Sequence, residues 1–323
     1  MKTATAIKKV LIALLTALFV AFAAFSLLYF SPGDPAELLL MEKTGGSGLQ
    51  LDVVREYAEK LGTNQGLLPM FENWFWKMLQ FDLGRSYRTG RPVWYEFETR
   101  FMTSVSLALM SGAISLVVGI TLGMLSAKYK NKFIDKISRF ISAVNMSVPS
   151  FWLAIVAMWL FAMKLKIAPI SGDLGIRSLI LPSIVLGVTG CSGLIRITRI
   201  CILENLNEEY VLTLKAKGLS ELAIFKKHIL KNISLPIITM ATSNIISLIS
   251  GSIIIENIFG LPGIGNYLIK SIQLKDFPVI LGFVFIMSFT VVILNLISEL
   301  IGYALDPRIR MEIYLSLIHI SEP

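Results

Sequence analysis

Six long stretches of the chain are apolar and contain no Asp, Glu, Lys, Arg or His. They run over residues 10–30, 101–127, 140–163, 178–195, 232–255 and 277–298. A helix needs about 20 apolar residues to cross a hydrocarbon layer, and lipid tolerates no unpaired backbone, so each stretch predicts a membrane-spanning helix. The fourth stretch is the shortest and contains Pro182, which predicts a kink. The expected fold class is an all-α integral membrane protein with six transmembrane helices.

Composition supports the same class. Hydrophobic residues make up 54% of the 323 residues and charged residues 16%, with a mean hydropathy of +0.70, whereas soluble domains carry about 25% charged residues. Two cysteines, Cys191 and Cys201, and two histidines, His228 and His319, are too few and too scattered for a disulfide framework or a metal site. No metal site is therefore predicted, and no catalytic residue is assigned.

Lys and Arg are concentrated on one side of the six predicted helices. The segments before the first helix, between the second and third, between the fourth and fifth, and after the sixth hold 17 bases and nine acids, and the other segments hold 13 of each. Because loops rich in bases stay in the cytoplasm, both termini are expected there. Bases divided among short loops also disfavour nucleic-acid binding.

The first apolar stretch resembles a cleavable secretion signal, because Lys8 and Lys9 precede it and Ala21-Phe22-Ala23 lies within it. The stretch continues to Phe30, however, which is the length of a spanning helix. Residues 1–30 are therefore expected to be an uncleaved anchor.

Residues 31–100 have the composition of folded, water-exposed protein and predict an extracytoplasmic subdomain. Within it, Asp52 to Leu61 has the apolar spacing of an amphipathic helix that ends at Gly62. The aromatic run around Trp74 and Trp76 predicts an element at the headgroup level. This segment could be a packing lid without ligand contacts, or it could take part in binding; the sequence leaves both alternatives.

The sequence argues against ion coupling and against ATP hydrolysis by this chain. Ion-coupled carriers need charged groups at membrane depth, and none lies in the six stretches as drawn. The chain also has no phosphate-binding G-x-x-x-x-G-K-[ST] loop, so any energy from ATP must come from another subunit. An ion-coupled secondary transporter and a membrane sensor or scaffold remain as alternative functions.

Small and polar residues recur along two of the predicted helices. Ser111, Ser115, Gly119 and Gly123 form one face of the second helix and predict close helix packing. The fifth helix has a second face of this kind, which indicates either helix packing or the lining of a water-filled passage for a polar solute. Its members are Thr239, Ser243, Ser247 and Ser250.

The segment between the fourth and fifth predicted helices, residues 196–231, is longer than a turn requires. It predicts one helix over Asn207–Lys217, a break at Gly218, and a second helix from Glu221 to about Lys231 that is capped by Ser220. An apolar stripe on the second helix indicates either a docking surface or a helix lying on lipid headgroups. The stripe comprises Leu222, Phe225, Ile229 and Leu230.

Several motifs in this order resemble those of ABC importer permeases of the peptide and nickel family. They are Ser31-Pro32-Gly33-Asp34-Pro35, Asp82-Leu83-Gly84-Arg85-Ser86, Val148-Pro149-Ser150-Phe151-Trp152, Tyr210 to Glu221, His228 to Asn232 with Leu235-Pro236, Ile255 to Phe259 with Pro262-Gly263-Ile264-Gly265, Asp276-Phe277-Pro278-Val279 and Leu305-Asp306-Pro307-Arg308. The resemblance covers roughly residues 5–312. It departs where permeases in general place Glu-Ala-Ala and this chain has Leu212-Thr213-Leu214, so an apolar docking contact is expected.

The resemblance implies a type I permease core over residues 101–305 in the bacterial cytoplasmic membrane, followed by a tail over 306–323. The implied partners are a second homologous permease, two ATPase subunits that bind ATP and Mg, and an extracytoplasmic binding protein. This chain itself would hold no cofactor. The implied ATPase-docking loop comprises Ala216, Lys217, Gly218, Leu219, Ser220, Glu221, Leu222 and Phe225, and the implied external gate comprises Glu256, Pro262, Gly263 and Gly265. The solute would be a peptide or a nickel chelate.

The end of the chain departs from this pattern. Residues Ser316 to Pro323 resemble translated read-through of a sequencing adapter. Residues 314–323 are therefore expected to be non-native.

Overall fold

The computed structural model describes residues 3–46, 50–169 and 175–305, and the predicted tail over 306–323 lies outside them. All regular elements in this part are helical, apart from one isolated bridge between Arg85 and Pro92. The α-helices are α1 (Thr3–Tyr29), α2 (Pro35–Thr44), α3 (Leu51–Leu61), α4 (Leu67–Leu79), α5 (Val93–Lys128), α6 (Phe133–Ser147), α7 (Ser150–Ala157), α8 (Ile176–Leu206), α9 (Glu209–Ala216), α10 (Glu221–Ile224), α11 (Leu230–Ile258), α12 (Ile264–Gln273) and α13 (Phe277–Leu305). Two π-helical segments, Met158–Lys164 and Phe225–Ile229, extend α7 and join α10 to α11.

Four helices in the described part are long and apolar enough to cross a membrane. They are α5, α8, the continuous helix Glu221–Ile258 and α13, and the bent pair α6 and α7 raises the number to five. Helix α1 contains a shorter apolar helix, Leu14–Tyr29. The all-α membrane class is confirmed, whereas the count of six spans stays a prediction.

The third predicted span is not one straight helix. Its two halves meet at an angle of 101° between Ser147 and Ser150. Pro149 has no backbone N–H and disfavours helical geometry at the residue before it, and Val148 is extended with φ −95° and ψ 124°. The prediction of one uninterrupted helix over 140–163 was therefore wrong, whereas the crossing of the membrane by this segment stays a prediction.

Helices α8 and α11 reach far beyond the apolar stretches that predicted them. Helix α8 runs without interruption through Pro182 and continues to Leu206, into the segment expected to be a loop. The second loop helix does not end near Lys231 but continues to Ile258. The loop boundaries were wrong because a helix can carry polar residues past the point where its apolar stretch ends.

The chain forms two units, each built from two stretches. The first comprises Met1–Ser104 with Pro262–Val292, and the second comprises Val105–Leu261 with Ile293–Pro323. This grouping differs from the contiguous boundaries expected from the sequence, because residues 262–292 group with the N-terminal stretch.

In the first unit, the predicted amphipathic helix is confirmed as α3, which ends at Gly62 with φ +72°. The aromatic run forms α4, and its two tryptophans differ in environment. Trp74 is buried with Phe25 and Phe277 in the core of the unit, while Trp76 is exposed. One face of α4 therefore packs inward, as expected of a half-buried amphipathic helix.

The second unit confirms the close packing predicted for the small residues of α5. A Cβ added at Gly119 would lie 2.6 Å from the Cβ of Leu194, and one added at Gly123 would lie 2.7 Å from the Cβ of Thr198. Only glycine allows α5 and α8 to approach this closely.

Candidate functional site

The first candidate site is the turn between α9 and α10, which contains the predicted docking loop. Helix α9 ends at Ala216, and Gly218 follows with φ +80°, a left-handed conformation that favours glycine. The Ser220 hydroxyl accepts a hydrogen bond from the Ala223 N–H at 3.3 Å and so caps the next helix. The predicted break at Gly218 and cap at Ser220 are both confirmed.

The inner side of this turn is anchored in the second unit. Val211, Ile224 and Ile229 are buried in an apolar cluster with Ala127 of α5 and with residues of α8. Tyr210 adds a polar connection, because its hydroxyl donates to Oδ1 of Asn205 at 3.0 Å. The turn is thus fixed to the long helices beside it.

Asn232 completes this polar connection, which sequence analysis missed. Its Nδ2 lies 3.3 Å from Oδ1 of Asn205 and 3.2 Å from the Tyr210 hydroxyl. One cluster therefore joins the end of α8, the start of α9 and the start of α11. The only sequence signal for this cluster is that two Asn residues and one Tyr occur near the predicted helix ends.

The outer side of the turn is exposed and partly apolar. The side chains of Leu212 and Leu222 are 66% and 62% exposed. Lys215 and Glu221, also exposed, form an ion pair of 3.4 Å across the turn. Of the other predicted docking residues, Leu219 and Phe225 are partly buried and Ala216, Lys217 and Ser220 are exposed.

The apolar stripe predicted on the second helix is not one surface. Leu222 and Leu230 are exposed, whereas Ile229 is buried and Phe225 packs against the core. The π-helical turn Phe225–Ile229 inserts an extra residue and rotates the positions that follow it. The prediction of one apolar stripe was wrong for this reason, and the exposed apolar side chains beside the turn are Leu212 and Leu222.

A buried ion pair in the second unit joins the first turn of α6 to α8. The carboxylate of Asp135 is fully buried and accepts hydrogen bonds from Nε and Nη2 of Arg199 at 2.8 and 3.0 Å. It also accepts one from the Ser126 hydroxyl at 2.6 Å and one from the Asn131 N–H at 2.8 Å. Sequence analysis missed this pair, because 64 residues separate its two charges.

The second candidate site is the polar face of α11. The four predicted passage residues, Thr239, Ser243, Ser247 and Ser250, are all exposed. Three of these hydroxyls donate to the carbonyl four residues earlier in their own helix, at 2.9 to 3.2 Å. Their oxygen lone pairs can still accept hydrogen bonds. The face is suited to contact water, a polar solute or a partner helix.

The opposite face of α11 is bound to its neighbours. Asn244 is buried, its Oδ1 accepts from the Ser115 hydroxyl at 2.9 Å, and its Nδ2 donates to the Gly190 carbonyl. One amide therefore joins α5, α8 and α11.

The predicted gate residues divide between the two units. Glu256 is fully buried near the end of α11, and its backbone carbonyl accepts from the Leu261 N–H at 2.9 Å. Pro262, Gly263 and Gly265 belong to the first unit, where Gly263 precedes α12. Their predicted role as a gate stays a prediction.

Comparison with known families places the chain among membrane transport components. Residues 119–311 match the family described as the inner membrane component of binding-protein-dependent transport systems. A putative peptide transport system permease of Brucella melitensis is 34% identical over 97% of this chain and all of its own length. The metal-staphylopine import permease CntB of Staphylococcus aureus is 33% identical over 90% and 93% of the two chains. The glutathione transport permease GsiC of Salmonella choleraesuis is 32% identical over 94% and 98%.

A solved structure has a similar fold. A chain of the inward-facing MetNI methionine ABC transporter aligns with a TM-score of 0.53 and 15% identity, over 66% of this chain and 97% of that chain.

Proposed function

The chain belongs to the family of inner-membrane components of binding-protein-dependent transport systems, and from this premise we propose that it is one of two permeases in an ABC importer. As a member of this family it is a multi-pass permease of the inner membrane. The proposed complex adds a second homologous permease, two ATPase subunits and an extracytoplasmic binding protein. ATP and Mg would be bound and used by the ATPases, with no cofactor in this chain.

The proposed topology has six spans and both termini in the cytoplasm. The long apolar helices, the further apolar helix in α1 and the concentration of bases on one side support it. Residues 31–100 would then lie outside, where the binding protein delivers its solute.

The continuous helix Glu221–Ile258 is the single observation that carries the proposed mechanism. Its first residues form the exposed turn with Leu222, and its later residues carry the polar face from Thr239 to Ser250. An ATPase bound at the turn can therefore move the polar face through one continuous helix, which includes the π-helical turn Phe225–Ile229 and Pro236. Movement of a rigid element between two positions is the usual basis of such coupling.

We propose a peptide or a metal chelate, such as a nickel chelate, as the solute. The relatives are named for peptide, glutathione and metal-staphylopine transport. Such solutes are polar, and the exposed hydroxyls of α11 offer weak hydrogen-bonding partners without fixed charge. The buried Glu256 and the Pro262–Gly265 segment are proposed as the external gate.

Purification of the tagged chain from its native membrane tests the proposal. We expect two ATPase subunits and a second permease to purify with it, and ATP hydrolysis to rise when the binding protein is added with solute. Uptake that follows an ion gradient without any ATPase would support a secondary carrier instead. A stable chain without ATPase and without uptake would support a sensor or scaffold.

Crosslinking tests the side of the membrane on which residues 31–100 lie. A binding protein carrying a crosslinker should react with this segment in the intact complex. Crosslinks confined to the partner permease would contradict its role in docking.

A further inference from the structure

The first unit contains a cavity of about 580 Å³. Its walls come from α1, α2, α3, α4, the segment between α4 and α5, and the start of α13. A volume of this size is typical of sites for small molecules.

Basic side chains of this segment are concentrated around the cavity. Residues 31–100 contain eight bases and ten acids, yet five of these bases and only one of these acids line the cavity. The five bases are Lys43, Lys60, Lys77, Arg85 and Arg88, and the acid is Asp82. A segment with a slight excess of acid thus presents a strongly positive wall, which attracts anions.

Three of these five bases have no acidic partner in the described part of the chain. Lys60 and Arg88 form ion pairs of 2.7 Å with Glu56 and Glu42. Lys43 donates to the Tyr57 hydroxyl, Arg85 donates to the Gly90 carbonyl, and Lys77 forms no ion pair. Positive charge is therefore left for a ligand to neutralise.

The wall also has aromatic side chains and an unused donor. Tyr57 and Trp74 line the cavity, and Trp74 is 8% exposed. Its indole N–H has no hydrogen-bond partner in the described residues. Buried donors without a partner are rare in folded proteins, but this N–H is itself enclosed, so a ligand in the cavity would contact the aromatic side chains rather than this donor.

The cavity wall is held in place before any ligand binds. Asp276 accepts hydrogen bonds from the Ser86 hydroxyl at 2.5 Å and from the Tyr87 and Arg88 N–H groups at 2.9 and 3.3 Å. Asp82 accepts from the Gly84 N–H at 2.8 Å at the start of the same turn. Because the turn is fixed on both sides, little ordering is needed when a ligand binds.

We propose that this cavity binds a small solute that carries a carboxylate on an apolar or aromatic body. The bases bind the carboxylate, and the aromatic side chains contact the body. The location of the site outside the membrane rests on the proposed function. The cavity would then hold the solute outside the membrane, at a place separate from the polar face of α11.

Binding to the purified complex in phosphatidylcholine nanodiscs tests the site. The probes are the dipeptide Ala-Phe and its C-terminal amide. We expect the free dipeptide to bind, with an affinity that falls as salt is raised. Ala-Phe amide should bind at least about tenfold more weakly than the free acid, because it lacks the carboxylate.

Variants of the wall make the test specific. The double variant Lys77→Gln with Arg85→Gln should weaken binding at least about tenfold. Arg55→Gln is the matched control, because Arg55 lies on α3 in the same segment but does not line the cavity. Equal binding by the double variant, equal binding of acid and amide, or no binding of either probe would overturn the proposal.

A lipid headgroup is the other anion that could occupy the cavity. Nanodiscs that contain phosphatidylglycerol distinguish the lipid from the solute. If the cavity binds a lipid headgroup, phosphatidylglycerol will compete with the probe and abolish its binding, and the proposal would then be wrong. Subunit stoichiometry and solute-stimulated ATP hydrolysis are measured in the same preparations. If the complex contains the expected subunits and its ATP hydrolysis responds to solute, but no probe binds, only the cavity proposal is wrong. If the subunits or the stimulated hydrolysis are missing, the proposed function is contradicted.

Discussion

Replacing Gly218 by Val should lower both solute-stimulated ATP hydrolysis and uptake. A Cβ at this position meets no atom within 4 Å, so the substitution causes no collision. Its effect comes from the backbone alone, because φ is +80° and a side chain in the left-handed region costs about 1–2 kcal/mol. A cost of this size changes the population of the native turn by a factor of about 5–30.

A turn that relaxes to avoid this cost moves the residues that follow it. The Ser220 cap and Leu222 lie within four residues of Gly218, at the start of the helix that continues to Ile258. We expect Gly218→Val to insert and assemble normally but to lose about tenfold of solute-stimulated ATP hydrolysis and uptake. Gly218→Asn is the matched control, because Asn tolerates positive φ better than other side chains, and it should retain most coupling.

The order of effects among variants separates docking from a helix that lies on lipid. Leu222→Asp places a charge on the exposed apolar contact and should also uncouple the complex. Charge reversal at Lys226 and Lys227, both exposed, should change little, because exposed charge pairs contribute about 0–1 kcal/mol each. The assay is ATP hydrolysis and uptake by the reconstituted complex at matched expression. Normal coupling in Gly218→Val, or a larger loss from the lysine changes, would refute the docking mechanism.

Three further predictions concern other parts of the chain. Asp135→Asn should lower the free energy of unfolding by about 2 kcal/mol, because it leaves the Arg199 charge without its partner. The thermal unfolding midpoint in detergent should therefore fall. An unchanged midpoint would contradict a structural role for the pair. Asn244→Leu should cost about 1 kcal/mol by removing the polar connection among three helices, whereas the neighbouring exposed Ser243→Ala should cost almost nothing, and equal midpoints for the two would argue against that connection. Deletion of residues 314–323 should leave assembly and uptake unchanged, and a clear loss of either would show that the tail is native.

Local sequence signals predicted the features that depend on neighbouring residues. The helix end at Gly62, the break at Gly218 and the cap at Ser220 each require a particular residue within one turn of chain, and all three are present. The close packing at Gly119 and Gly123 was predicted for the same reason, since four-residue spacing places both on one face.

Features that depend on distant residues could not be predicted in this way. In the sequence, Asp135 and Arg199 are an acid and a base in two predicted loops. Only the folded chain shows that they form a buried ion pair. Helix ends were also missed, because hydropathy reports where lipid-facing residues stop and not where the backbone leaves the helix. Five of the seven residues from Lys226 to Asn232 are polar, yet the run lies inside the helix Glu221–Ile258.

The hydroxyl face of α11 shows how one helix can suit both lipid and water. In lipid, an unpaired hydroxyl donor is costly, and the hydroxyls of Thr239, Ser247 and Ser250 avoid this by donating to carbonyls of their own helix. The helix can therefore insert without a partner helix on this face. If the face lines the proposed passage, the same oxygens accept hydrogen bonds from water without breaking those they already donate. Alanine at all three positions should therefore leave insertion intact and slow uptake, which membrane yield and transport rate would separate.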